Sequence, residues 1–142
     1  GLDMYLKGEM YFSEFTGEKR PKLVVNNETI TLSLIETDLG YWRKHPNLHG
    51  FIVDNFANGE DNCQEIYLER KDIEKIIKAI NDNDLPTTTG FFFGKSPDPN
   101  SNNEEEIKYF KDLKKSTLDT FNSALEWLDK KGYTYVVYQA SW

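Results

Sequence analysis

The spacing of the apolar residues changes at Pro46, and that change limits the fold more than any other feature of this chain. Before it, Thr29-Ile30-Thr31-Leu32-Ser33-Leu34 alternates polar with apolar, the pattern of a strand with one buried face. After it, Leu48, Ile52 and Phe56 recur at helical spacing, and Ile73, Ile76, Ile77 and Ile80 lie where one helix face would collect them. Strands first and helices afterwards predict an α+β fold, an antiparallel sheet packed with about three helices.

The segments follow from the same periods. Leu2 to Phe12 and Lys22 to Ile35 read as strands of an N-terminal meander, with turns at Thr16 to Pro21 and at Asn26-Asn27-Glu28. A helix begins at Pro46 and stops at Asn58-Gly59, leaving His45 outside it and His49 near its first turn. A short strand at Glu65 to Leu68 precedes the isoleucine helix. Lys95 to Asn103, with two prolines and three asparagines, reads as an exposed loop. A long helix from Glu104 to Lys131 places Ile107, Phe110, Leu118, Phe121, Leu125 and Leu128 on one side, and Gly132 ends it. Tyr133 to Trp142 closes the chain as a strand whose terminal tryptophan is expected to be covered.

A chain of 142 residues suits one domain over 1–142, able to bury about 70% of its unfolded surface. Its net charge of −7 argues against duplex nucleic acid or an anionic membrane as a partner, because both demand a positive field. A local basic pocket stays open. Cys63 has no cysteine to pair with, and no apolar run of spanning length occurs, which together predict a cytoplasmic protein.

Tyr41-Trp42-Arg43-Lys44-His45-Pro46-Asn47-Leu48-His49 carries the strongest functional signal. Arg43 and Lys44 suit an anion, and the rings of Tyr41 and Trp42 offer faces for a flat ring such as a base. Cations at a helix start oppose the macrodipole unless an anion is bound there. Thr87-Thr88-Thr89-Gly90 could present hydroxyls to phosphate, although it lacks the order of a P-loop. Tyr138, Gln139, Ser141 and Trp142 add stacking and hydrogen bonding. The expected ligand-binding set is Tyr41, Trp42, Arg43, Lys44, His49, Thr89, Phe92, Tyr138, Gln139 and Trp142.

Two other chemistries compete. His45 and His49 have metal-ligand spacing, but Pro46 breaks the shared face and no H-E-x-x-H or C-x-x-C accompanies them, so no metal site and no cofactor is assigned; one histidine is expected at the surface and the other capping or packed. Cys63 as nucleophile with His49 as base and Asp61 as orienting acid is formally possible. A lone cysteine beside a strand more often packs as a small hydrophobe.

Gly1-Leu2-Asp3-Met4-Tyr5, Tyr41-Trp42-Arg43-Lys44 with His49, Asp61-Asn62-Cys63, Pro86-Thr87 with Gly90-Phe91-Phe92-Phe93-Gly94, and Tyr138-Gln139-Ala140-Ser141-Trp142 resemble a family of small uncharacterised bacteriophage and prophage proteins. The likeness spans nearly the whole chain. Where that family has a small residue and an asparagine, this chain has His45 and Pro46. The resemblance implies a phage origin, the cytoplasm of an infected bacterium, a shared pocket and a role against host systems. The leading expectation is a non-enzymatic protein that sequesters a small anionic, nucleotide-like host signalling molecule. A small hydrolase or transferase with His49 as base, and an acidic inhibitor docking on a host protein, are the alternatives.

Overall fold

The computed structural model describes residues 1–13 and 19–142. Strands β1 (Asp3–Tyr11), β4 (Leu34–Arg43), β5 (Ile66–Leu68) and β6 (Tyr133–Ser141) form an antiparallel sheet in the order β4-β1-β6-β5. Helices α1 (Pro46–Phe56), α2 (Arg70–Asn81) and α3 (Glu104–Leu128) complete the expected α+β fold. Among the described residues, no helix is long and apolar enough to cross a membrane.

The N-terminal strands do not form the expected meander. β1 pairs with β4 and β6, while β2 (Lys22–Val25) and β3 (Glu28–Thr31), among the described residues, pair only with each other. Asn26 and Asn27 both have positive φ, 50° and 65°, which is what a two-residue hairpin turn of right-handed twist requires. Every residue of this hairpin is exposed. The turn expected over Thr16 to Pro21 falls partly outside the described residues.

β6 earns its inner position by composition. Val136, Val137 and Tyr138 are all buried, in a strand flanked by β1 and β5. On the helix side of the sheet, Leu2, Met4 and Leu6 join Val136, Tyr138 and Ala140 in one core with Ile73, Ile76 and Phe121. Gly8 is needed there: a Cβ at that position would lie 2.7 Å from the ring of Trp127, whose indole N–H donates to the Glu9 carbonyl at 3.1 Å.

α2 is held at its start by a reciprocal capping box between Glu69 and Asp72. α3 is capped by Asn103, whose side chain accepts from the Glu106 N–H at 3.1 Å, and Glu104, Glu105 and Glu106 complement its positive end. α3 stops at Leu128, short of Lys131. Its buried face is Thr117, Phe121, Ala124 and Trp127; of the expected stripe only Phe121 is fully buried.

A register shift falls between Leu6 and Lys7, where Leu6 faces Gly40 but Lys7 faces Asp38. The extra residue, Leu39, reverses the alternation of β4. Leu34, Glu36 and Asp38 therefore share the face away from the helices with Tyr41 and Arg43, although their positions differ in parity.

Candidate functional site

The first turn of α1 organises the loop that follows α2. Pro46 occupies the start of the helix, and His45 supplies no side-chain cap. Ser96 takes over that task from 49 residues away: its Oγ accepts from the Asn47 backbone N–H at 3.0 Å and lies 2.8 Å from His45 Nδ1. The Asn47 side chain in turn accepts from the Thr88 N–H at 3.0 Å. Asn47, with His45 just before the helix, thus holds both limbs of the segment 88–96. The limbs approach so closely that a Cβ on Gly50 would collide with the Thr88 side chain, and the stem of Lys44 lies against Gly94, whose φ of 73° favours glycine.

Between this turn, the loop and α3 lies a cavity of about 570 Å³. Ile80, Leu85, Phe110 and Leu113 give it apolar walls, while Asn47, Thr87, Thr88, Thr89, Ser96 and His45 bring polar groups to it. Among the described residues, Lys95 and Lys114 line it against a single carboxylate, Asp98. Lys114 is positioned by bonds from Nζ to the Asn83 side chain at 2.8 Å and the Asn81 carbonyl at 3.2 Å. Burial lowers the pKa of His45 to about 4, so its ring is neutral near pH 7 and serves as a hydrogen-bonding group. The volume and the mixture of apolar wall with a few convergent polar groups are those of a small-molecule site.

A second polar cluster lies beside it in the core. His49 is 2% exposed; its Nδ1 lies 2.6 Å from the Tyr138 hydroxyl and its Nε2 2.9 Å from Asp61 Oδ2. Phe93 meets the imidazole edge to face, with centroids 5.4 Å apart. Trp142 donates its indole N–H to the other Asp61 oxygen at 3.1 Å, and Gln139 donates to the Cys63 carbonyl at 2.9 Å. Burial drives the Tyr138 phenol well above its ordinary pKa, with the Asp61 charge adding to the effect.

The ten residues expected from the sequence to bind a ligand do not converge on one pocket. Trp42 is 5% exposed, stacks on Phe121 at 5.6 Å and donates to Thr117 Oγ1, so it presents no free face. Tyr41 and Arg43 lie on the opposite side of the sheet, both bonded to Asp3 at 2.5 and 3.1 Å. Those bonds, that from Tyr41 above all, hold the Asp3 carboxyl below its usual range. His49, Tyr138 and Trp142 belong to the cluster around Asp61, Gln139 is exposed on the far side of the sheet opposite Tyr5, and Phe92 is exposed. Thr89 lines the cavity, and Lys44 adjoins it through Gly94.

Both ring nitrogens of His49 are engaged, one by Tyr138 and the other by Asp61. Both histidines are buried where one is expected at the surface, and Ser96 and Pro97 are buried within a loop expected to be exposed. Trp142 remains half exposed although its indole N–H is bonded. Among the described residues, no group of three or more His, Cys, Asp or Glu side chains is placed to hold a metal ion.

Asn47, Lys95, Ser96, Phe110, Lys114 and Thr117 are among the cavity residues that sequence reasoning missed. Lys114 looks like any solvated lysine of an amphipathic helix, and Ser96 like any loop serine. Only the Asn47 position, one residue inside a proline-started helix, carried a usable signal. No protein-family model, no curated protein and no solved structure matches this chain.

Proposed function

We propose that this protein binds a small anionic molecule bearing a flat ring, nucleotide-like in its chemistry, in the cavity between the first turn of α1, the loop 85–100 and α3. The observation that carries the reading is the composition of that cavity. Lys95 and Lys114 outnumber Asp98, three threonine hydroxyls and Asn47 offer neutral hydrogen bonds, and Phe110 with Leu113 gives an apolar wall for a ring. An anion placed near the α1 start also meets a helix end with no acidic residue in its first turn. The function so proposed is retention of the ligand, and the resemblance to phage proteins favours sequestration of a host signalling molecule.

The test is to mix purified protein with a pooled panel of mono-, di- and cyclic nucleotides, remove the unbound fraction, release the rest by heating and identify it by mass spectrometry. Recovery of an unchanged nucleotide supports a binder. Recovery of a converted one would replace it with an enzyme, and retention of nothing would remove the nucleotide reading.

A further inference from the structure

Strand pairing places a second group of residues on the sheet face that, among the described residues, no helix covers. In an antiparallel pair, residues directly opposite one another share a face. Tyr11 lies between Leu34 and Tyr133, Glu9 between Glu36 and Tyr135, Lys7 between Asp38 and Val137, and Tyr5 between Tyr41 and Gln139, while Tyr67 pairs with Val137 from β5. Six of the eight tyrosines in the chain thus stand on this face, each between 38% and 54% exposed. Rings meet across it, Tyr5 with Tyr41 at 5.3 Å and Tyr11 with Tyr135 at 5.7 Å.

The ordinary solvated face of such a sheet carries small or charged side chains. Rows of half-buried tyrosines are instead the composition of binding surfaces, where a rigid ring contributes area at low entropic cost. Two clefts adjoin the face. One of about 380 Å³ is lined by Glu9, Glu36 and Glu65 with Tyr5 and Lys7, and another of about 750 Å³ is shared between Tyr11, Tyr67, Tyr133 and Tyr135 and the core-side residues Leu68, Leu128 and Val136. Glu9 joins them, since its carboxylate accepts from the Tyr67 hydroxyl at 2.9 Å.

Charge selects the occupant. Glu9 and Glu36 are direct cross-strand partners, an arrangement that destabilises a sheet, and Lys7 offsets it only through its 2.7 Å contact with Glu36. Glu65, Asp38 and Asp3 add further negative charge, against Lys7 and Arg43. A second copy would bring the same carboxylates against themselves, and an anionic lipid surface or nucleic acid would be repelled. Guanidinium groups fit: they stack on phenol faces and pair bidentately with carboxylates. We infer that this tyrosine face docks an arginine-bearing segment of another protein, independently of the cavity.

The test titrates the purified protein with a fluorescent arginine-rich peptide, and compares Tyr135→Ala with Glu36→Gln against a charge-matched control, Glu105→Gln, at the start of α3. The expected result is a loss of about tenfold in affinity for each face variant and little change for the control, with amide shifts in NMR confined to β1, β4, β5 and β6. Equal losses in all three variants would mean only general attraction to an acidic protein and would overturn the proposal, as would no binding, or a dimer in sedimentation that the face variants dissolve. Circular dichroism of each variant establishes that it is folded before its affinity is compared.

Discussion

Trp42 and Thr117, 75 residues apart in sequence, are joined by one buried hydrogen bond of 3.0 Å from the indole N–H to the threonine hydroxyl. It ties the edge strand β4 to α3, and Thr117 also reaches the cavity. Thr117→Val keeps the side-chain shape but leaves a buried N–H without an acceptor, a cost of about 1–3 kcal/mol. Urea unfolding should show that loss, whereas Thr117→Ser should retain most of the stability. Equal stability of the valine variant would mean the bond contributes nothing net.

His45 makes stability depend on pH. Its folded pKa, about 4, lies below the ordinary value of 6.5 because burial disfavours the charged ring. Below pH 6.5 the unfolded chain therefore takes up a proton that the folded chain refuses. The contribution is complete above that pH and is lost as pH falls toward 4, by about 3 kcal/mol in all. Melting followed from pH 7 to 4 should show the decline, and His45→Gln should flatten its part of the curve. An unchanged slope in that variant would assign the acid sensitivity to other groups.

Gly8 and Trp127 offer a packing test. A methyl group at Gly8 has no room above β1, since its nearest neighbours are atoms of the Trp127 ring. Gly8→Ala should cost about 1–3 kcal/mol through overpacking. Gly59 has a φ of 76° and open space for at least 4 Å around the point where a methyl group would sit, so the same change there should cost only about 1 kcal/mol, from backbone strain alone. Chemical denaturation of the two variants side by side separates steric crowding from conformational strain.

How far the sequence revealed this molecule varied with the range of the interaction. The helix at Pro46, the isoleucine stripe of α2 and the Asn26-Asn27 turn were legible because each is set by neighbours a few positions away. The pairing of β1 with β6 was not, because nothing local in Tyr133 to Ser141 names its partner strand. The strand expected to end at Ile35 begins its sheet pairing at Leu34 instead, and β4 runs on to Arg43 past the bulge at Leu39, where one added residue moves every later side chain to the other face and interrupts any alternation. The same limit applied to the site. Tyr41, Trp42 and Arg43 looked like one surface because they are consecutive, but a strand sends Trp42 to the core and its neighbours to the far side of the sheet. Ser96 and Lys114 entered the cavity through contacts that only the folded chain creates.

That division of Tyr41 to Arg43 between two faces gives the test that best separates the sequence-based site from the cavity. Arg43 is exposed and engaged by Asp3, so Arg43→Ala should leave the melting temperature nearly unchanged and leave retention of a nucleotide from the panel unchanged as well. Lys114→Met keeps a comparable stem against Phe110 but removes the charge that faces the cavity, and should weaken retention by about tenfold, the loss of one charge-assisted contact. The two variants compared by equilibrium dialysis with the retained nucleotide decide the matter: a loss confined to Lys114→Met places the ligand between α1, the loop and α3, and a loss confined to Arg43→Ala returns it to the other face of the sheet.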